Sequence, residues 1–398
     1  MKMNLYKILT FILLVSLIMS GCSVGVKEPP VVSESPSDTT AVIPAPVLED
    51  ENKNEYSESN YKNESFLASG YISVYENMIY YSLIVPGEAS GGNNTYKNEL
   101  RRCSFDLLKD ESIFSTESYP WYYHPRFVLN PDGHFISNEI DLSQSSPTSA
   151  LYIFNVHDGS IEKNILSTSQ SIYGDIVLYK DKIIYSIDNR GAESSTKIDI
   201  YDLRNNSVNT IFTGAVYDFG VIDNAIYFLP IQYDSENQPS PKQAIMRYDI
   251  LSETTERVFT FDLSAQELGD GQYFLPKANY NGRNIIVQNS PTTFVYMNID
   301  DINPQKISFA DYKKLDYSQA VFIQSNDEDM YFCLYYYENV EEGYRFSEYF
   351  KVSQGTNKPV LLTGLTSDRG EYFAEGNMYY IEYDFNTNGK IKSEKVSS

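Results

Sequence analysis

From about residue 63 onward, apolar and polar residues alternate in short runs separated by turn residues. The runs are rich in Tyr, Ile, Val and Phe, as in Asn77-Met78-Ile79-Tyr80-Tyr81. Alternation with a period of two is typical of strands whose two faces differ, whereas a helix requires a period near 3.6. No helical period is present after the N-terminal segment. The pattern therefore predicts an all-β fold.

The runs also recur as a larger unit. Its copies are about 50 residues apart on average and are centred on Ile79, Phe135, Ile184, Ile226, Ile285, Met330 and Met378. Further runs follow most copies, so that each unit supplies about four antiparallel strands. Such units are typical of β-propeller blades, which stack in a ring and bury both faces. We predict seven four-stranded blades, with six as the alternative because the copies at Phe135 and Ile285 are weak.

The last unit is incomplete. Residues 371–376, 377–384 and 389–396 supply three strands before the sequence ends. A further run, Glu64-Ser65-Phe66-Leu67-Ala68, precedes the first unit. In ring-closed propellers the N-terminus commonly completes the last blade, so we expect residues 64–68 to be its fourth strand.

The N-terminus carries a lipoprotein-like signal. Residues 8–19 are an uncharged run of twelve, shorter than the ~20 residues that span a bilayer, and they fit a signal-peptide core. Met19-Ser20-Gly21-Cys22 resembles the cleavage box of bacterial lipoproteins, in which the Cys is lipidated and becomes the new N-terminus. The resemblance implies a signal peptide at 1–21 and a membrane anchor at Cys22. The alternative is a plain secretory signal with an incidental Cys.

The region after Cys22 is predicted to be a tether. Residues 22–62 contain several Pro and many Ser, Glu and Asn, without apolar periodicity, a composition that cannot bury enough apolar surface to fold alone. The propeller then occupies 63–398. We expect the protein on the extracytoplasmic face of the cell membrane, or at the outer membrane in a Gram-negative cell.

The repeated elements permit one further resemblance. An I-Y-Y/F run followed by a Y-D strand, as at Ile226-Tyr227-Phe228 and Tyr248-Asp249, is similar to the TolB-like secreted propellers and to the YWTD-type propellers of the low-density-lipoprotein-receptor kind. The Trp of YWTD is missing from every unit. This resemblance implies a propeller over roughly 63–398 and no single activity.

Composition excludes several classes of protein. The 54 Asp and Glu outnumber 31 Lys and Arg, for a net charge of −23, which argues against a nucleic-acid partner because phosphate binding needs a basic face. Three Cys are too few for a disulfide scaffold. Cys103 and Cys333 alternate with apolar residues and are predicted to be buried in the first and sixth blades, too far apart to pair.

Long connections are predicted on one face of the ring. If the strands of each blade are named A to D from the axis outward, A–B and C–D turns are mostly short, whereas B–C and D–A connections are longer. Binding sites tend to lie in long loops on a rigid scaffold. One D–A connection holds the aromatic run Trp121, Tyr122 and Tyr123, which suits stacking on a sugar or a protein contact, unless it packs between blades.

The A strands begin on this same face, at the mouth of the central channel. Their leading polar residues are predicted to be Arg126, Asp175, Asp218, Gln319 and Glu371. This set indicates a mainly acidic mouth with one Arg, suited to a cation or to a basic, polar or sugar ligand. Ordinary solvation of strand ends is the simpler interpretation.

Motifs for catalysis were sought as well. The sequence has no phosphate-binding Gly-rich loop, no G-x-S-x-G elbow and no His or Cys pair at metal-ligand spacing, so we predict no cofactor, no metal and no catalytic residues. The favoured hypothesis is a lipid-anchored binding module for an envelope protein or a glycan. The alternatives are a polysaccharide-active enzyme with carboxylates at the channel mouth, and a structural subunit of an envelope complex.

Overall fold

The computed structural model describes residues 72–86, 96–115, 127–129, 133–141, 148–156, 160–168, 176–187, 196–234, 239–263, 274–312, 314–315, 317–326, 328–337, 344–365, 372–384 and 387–397. The predicted signal peptide, Cys22, the tether and the strand expected at 64–68 lie outside these residues. Within the described part, no helix has both the length and the apolar character to cross a membrane.

The described residues form seven antiparallel sheets in which spatial order follows chain order. The first contains β1 (Ile72–Tyr75), β2 (Met78–Pro86), β3 (Tyr96–Ser104) and β4 (Asp110–Ser115). The second contains β5 (Phe127–Leu129), β6 (His134–Asp141), β7 (Thr148–Asn155) and β8 (Ile161–Thr168). The third contains β9 (Ile176–Tyr179), β10 (Lys182–Ile187), β11 (Lys197–Asp202) and β12 (Ser207–Thr213). The fourth contains β13 (Val216–Ile222), β14 (Ala225–Pro230), β15 (Lys242–Asp249) and β16 (Thr254–Asp262).

The remaining three sheets continue the series. The fifth contains β17 (Lys277–Asn281), β18 (Asn284–Ser290), β19 (Thr293–Asn298) and β20 (Asp301–Ser308). A short 3-10 helix (Ala310–Tyr312) leads to the sixth, with β21 (Tyr317–Ser325), β22 (Asp329–Tyr337), β23 (Tyr344–Ser353) and β24 (Pro359–Leu361). The seventh contains β25 (Tyr372–Ala374), β26 (Asn377–Asp384) and β27 (Thr387–Lys395).

These sheets confirm the all-β propeller with four-stranded antiparallel blades. Among the described residues six blades are complete, not the predicted seven, because the seventh sheet has three strands. The strand expected to complete it, 64–68, lies outside the described part of the chain. From the third sheet to the seventh, the first strand of each sheet contacts the first strand of the next, which places these strands nearest the axis as strand A.

The core lies between the sheets rather than inside any one of them. Seven hydrophobic clusters of described residues each join a sheet to the next. Successive side chains of a strand point to opposite faces of its sheet, so each sheet can pack on the sheet before it and on the sheet after it. Between the fifth and sixth sheets, Phe294 packs on Phe332 with ring centroids 4.9 Å apart. Between the seventh and first, Ile381 and Ile72 share a cluster, and the Tyr379 hydroxyl donates to the Phe105 carbonyl at 3.1 Å. The seventh sheet therefore packs directly on the first.

The fourth and fifth sheets approach most closely at Gly220. A Cβ placed on Gly220 of β13 would lie 2.2 Å from Cβ of Tyr280 on β17. Only a residue without a side chain therefore allows these two inner strands to lie together.

The hairpin turns explain why A–B connections are short. Glu76 and Asn77 join β1 to β2 with φ of 46° and 59°, the left-handed pair of a type I′ turn, whose twist matches that of the strands. Lys180, Asp223 and Glu375 take the same backbone region in the corresponding turns.

Candidate functional site

The two faces of the ring differ in the length of their connections. A–B and C–D turns are at most five residues long, such as 76–77 and 105–109. On the opposite face, B–C and D–A connections reach eleven and fourteen residues, at 231–241 and 263–276, although a few are as short as two. We call these the short-turn face and the long-loop face. The predicted concentration of length on one face is confirmed.

Side chains at the short-turn face are used to join blades. Arg283, in the A–B turn of blade five, contacts Asp223 in the A–B turn of blade four at 2.8 Å and also pairs with Asp300. Tyr179 of blade three donates to Asn224 of blade four. These polar contacts link neighbouring blades at the short-turn face. The longer connections make the long-loop face the candidate binding surface.

The structure describes two of the five residues predicted at the channel mouth. Asp218 lies on β13 and Gln319 on β21, both partly buried on inner strands. Arg126, Asp175 and Glu371 lie outside the described residues, so the mainly acidic character of the mouth stays a prediction.

Asp218 is placed by an irregularity in its strand. The register between β13 and β14 shifts between Val216 and Phe219, which marks a β-bulge at Asp218. Bulges redirect a side chain and are common beside functional sites. Asp218 therefore lies in an irregular part of β13.

Sequence reasoning missed a lysine at the same position of the next blade. Lys277 on β17 lies eight residues before Ile285, as Asp218 lies eight residues before Ile226, and both isoleucines are fully buried on strand B. The exposed Lys277 thus places an ammonium group opposite in charge to Asp218 on the adjacent inner strand. The repeat spacing could have predicted the position of Lys277, but the fifth copy of the repeat, centred on Ile285, is weak.

The predicted aromatic loop, with Trp121, Tyr122 and Tyr123, lies outside the described residues. A described B–C connection shows how such loops are held. The buried amide of Gln243 donates to the carbonyls of Gln232 and Ser240, and its oxygen accepts from the Gln232 N–H at 3.0 Å. Tyr233 projects from this connection with 43 % of its surface exposed. The described part of this connection is therefore held by Gln243 and exposes Tyr233.

A second aromatic group lies at the long-loop end of blade six. Phe346 on β23 stacks on Tyr336 of β22, with ring centroids 4.5 Å apart. Lys314, from the connection between blades five and six, lies 5.9 Å from the Phe346 centroid and pairs with Glu348. Phe346 keeps 37 % of its surface exposed and the Lys314 side chain 53 %. We call these four residues the blade-six platform.

The platform is fixed by its buried tyrosine. The Tyr336 hydroxyl lies 2.6 Å from a Glu348 carboxylate oxygen and 3.0 Å from the Tyr312 carbonyl oxygen, so its single proton has two acceptors within hydrogen-bond distance. Burial, and then the hydrogen bond to the Glu348 carboxylate, raise the pKa of Tyr336 well above its ordinary value. The phenol therefore stays protonated and holds the carboxylate in place. The platform offers an aromatic face, an ammonium group and a carboxylate side by side, which can stack on a ring and bond to its hydroxyl groups.

Other buried groups with possible chemical roles are an aspartate and two cysteines. Asp199, 1 % exposed, accepts from Thr210 at 2.6 Å and pairs with Lys197 at 2.7 Å. Cys103 and Cys333 are both buried, as predicted, and burial raises the pKa of the Cys103 thiol to about 12. Within the described residues no group of three His, Cys, Asp or Glu could hold a metal ion.

Comparisons with known proteins find similarity only at the level of the fold. No protein-family model matches the chain, and no curated protein does. Among solved structures it is similar to the β-propeller domain of the Trilobed protease from Pyrococcus furiosus, which has an open velcro topology; the TM-score is 0.54 at 12% identity, over 82% of this chain and 94% of that one.

Two peptidases contain a similar propeller. The acylaminoacyl peptidase of Pyrococcus horikoshii gives a TM-score of 0.52 at 12% identity, over 82% of this chain and 50% of that one. An acylaminoacyl peptidase in complex with a chloromethyl ketone gives a TM-score of 0.54 at 11% identity, over 86% of this chain and 53% of that one. The chain thus spans about half the length of these two peptidases. At such identities the similarity shows a shared β-propeller fold and no shared activity.

Proposed function

We propose that this chain is a non-catalytic binding module, anchored through a lipidated Cys22 to the extracytoplasmic face of the membrane. In this proposal the long-loop face binds an envelope protein or a glycan. One observation carries the proposal: the long-loop face exposes aromatic and charged groups, such as Phe346 and Lys314, beside connections that buried side chains such as Gln243 hold in place.

The blade-six platform supports this choice of face. An exposed aromatic ring beside an ammonium and a carboxylate provides apolar contact together with hydrogen-bond donors and acceptors. Trp121, Tyr122 and Tyr123 belong to another connection of the same face by chain topology. A partner could therefore contact several blades at once.

The enzyme alternative receives less support. A glycosidase needs two carboxyl groups roughly 5 to 10 Å apart, and Asp218 is the sole carboxylate on the described parts of the inner strands. The remaining candidates on inner strands, Asp175 and Glu371, lie outside the described residues.

Anchoring is tested by Cys22→Ser. The variant should move from the membrane fraction to the soluble fraction, because an acylated Cys is held by ~0.8 kcal/mol per buried CH₂. Mass spectrometry of the mature wild-type protein should show a lipid-modified Cys22 at the N-terminus. An unmodified Cys22 would overturn the anchoring.

Binding is tested by combining Lys314→Ala with Phe346→Ala. Affinity electrophoresis against purified polysaccharides and crosslinking to envelope proteins should show capture weakened by about tenfold, or ~1.4 kcal/mol. The matched control combines Leu108→Ala with Leu251→Ala, two exposed residues of the short-turn face. If the control loses binding and the platform variant keeps it, the proposed face is wrong.

A further inference from the structure

The outer edge of blade six is less covered than that of the three blades before it. In blades three, four and five, strand D pairs along the whole of strand C. In blade six, β23 extends over Tyr344–Ser353, but β24 pairs only with residues 350–352. One further hydrogen bond joins the Leu362 N–H to the Tyr349 carbonyl at 2.8 Å. Among the described residues, 344–348 therefore have no strand on their outer side.

Strand D of blade six stops because the chain turns to the next blade. Thr363 and Ser397, which follows β27, exchange two backbone hydrogen bonds of 2.8 and 3.1 Å. Gly364 then takes a φ of 81°, a left-handed conformation that an extended strand does not adopt. The described chain thus leaves β23 and joins the seventh sheet. This course uncovers the long-loop half of β23, which contains Phe346 and Glu348 of the blade-six platform.

The uncovered edge turns backbone groups outward. The Tyr349 carbonyl points to the outer side, because it accepts from Leu362. Along a strand, every second residue directs its backbone N–H and C=O to the same side. The pairing of β22 with β23 is regular from Phe346 to Ser353, so Ser347 also directs its N–H and C=O outward. Such groups at a sheet edge are a template for another strand.

Two side chains and the net charge indicate which strand would fit. Phe346 lies on the side of Tyr336 and is partly exposed, so an apolar side chain opposite it gains a contact. Ser347 points to the other side of the sheet, where its hydroxyl oxygen is buried without a hydrogen-bond partner among the described residues. A hydroxyl or amide side chain opposite Ser347 supplies that partner. The net charge of −23 favours a basic segment.

We propose that residues 344–348 bind an extended, basic segment of a partner protein, which adds to the sheet of blade six. The segment runs antiparallel to β23, as β24 does, and pairs its backbone with Ser347. This inference names the kind of partner for the long-loop face and rests on the choice of that face in the proposed function. A glycan can stack on Phe346, but it has no regular row of amide groups to pair with a strand edge.

Ser347→Pro tests the backbone pairing. Proline lacks the N–H that faces outward, whereas the hydrogen bonds between β22 and β23 come from the neighbouring residues and remain. The matched control is Ser347→Ala, which keeps the N–H. A displayed library of random peptides is selected on the immobilised full chain, and the most enriched peptide is synthesised with a fluorescent label. Fluorescence anisotropy should show about tenfold weaker binding to the Pro variant than to the Ala variant.

A second measurement uses the unaltered chain and does not depend on the folding of the Pro variant. The labelled peptide is made in a series that carries one N-methyl group at each position in turn. Because only alternate amides of an added strand pair with β23, affinity should fall at every second position. Affinity that falls without this alternation would show binding by side chains alone and would overturn the inference.

Other results would also contradict it. They are the absence of any enriched peptide, and equal binding of the peptide to the Pro and Ala variants. Analytical ultracentrifugation that shows a wild-type dimer, dissociated by Ser347→Pro, would assign the edge to a second copy of the chain instead. Capture of a polysaccharide that is lost with the Lys314→Ala and Phe346→Ala pair but unaffected by Ser347→Pro would refute the edge and leave the proposed function intact.

Discussion

Replacing Gly220 by Ala should be among the most damaging single-methyl changes in the ring. The new Cβ would lie 2.2 Å from Cβ and 2.6 Å from Cγ of Tyr280. Carbon atoms in contact are normally ~3.5–4.0 Å apart. To reach that distance, the inner strands of blades four and five must separate by roughly 1 Å or more. Neither Cβ can move by rotation, because each is fixed to a strand backbone.

Overpacking of this kind costs typically ~1–3 kcal/mol. We expect about 3 kcal/mol, since the strain falls on two backbones rather than on a flexible side chain. Such a loss is a large part of the ~5–15 kcal/mol that stabilises an ordinary domain. The separation should also move Asp218 away from Lys277 at the channel mouth.

Urea unfolding followed by circular dichroism measures the loss. Gly355→Ala is the control, because its φ of 82° imposes backbone strain but no atom lies within 4 Å of its Cβ; it should cost roughly 1–2 kcal/mol. In the Gly220→Ala background, Tyr280→Gly should recover part of the lost stability and Tyr280→Ala should not, because Ala keeps the offending Cβ. Equal stability of the Gly220→Ala and Gly355→Ala variants would refute the close approach.

Three further predictions use other parts of the molecule. Burial raises the pKa of Tyr372 to about 12 from 10.0, so the stability that its protonated phenol provides is complete below pH 10 and is lost as pH rises towards 12. Tyr372→Phe should therefore remove about 2 kcal/mol of the alkaline loss in unfolding free energy over that range. Removing residues 23–60 should leave the melting temperature nearly unchanged, and extending the deletion through 70 should lower it markedly; equal melting temperatures would contradict N-terminal closure. Trp121 is the only Trp, so red, readily quenched emission would support an exposed loop, and blue, protected emission would show a core aromatic.

The blade architecture could be predicted from the sequence because each blade is built from local hairpins. Strand alternation, two-residue turns such as Glu76-Asn77 and the repeat spacing are all visible within about 50 residues of chain. Burial of Cys103 and Cys333 followed from the same alternation. The number of complete blades did not: the seven copies of the repeat predict seven blades, whereas the described residues form six four-stranded sheets and one three-stranded sheet.

The site was predicted less well than the fold. Asp218 and Gln319 lie on inner strands as expected, but Lys277 was overlooked and changes the charge of this part of the mouth. The platform was also missed, since Lys314 and Phe346 are brought together by the register of β22 with β23 and by a connection between blades. Contacts of this kind depend on tertiary packing, which residue spacing alone does not show.

In the proposed function, stability and recognition are carried by different parts of the ring. Each blade is held by apolar clusters on both sides, and the short-turn face adds ion pairs such as Arg283 with Asp223. A substitution there acts on two blades at once. By contrast, Phe346 and Lys314 are partly exposed and contact mainly their own platform, so their loss should cost little stability. Long loops on such a scaffold can change their chemistry without loss of the fold. For that reason the fold shared with peptidase propellers leaves the ligand open, and the residues of the long-loop face must identify it.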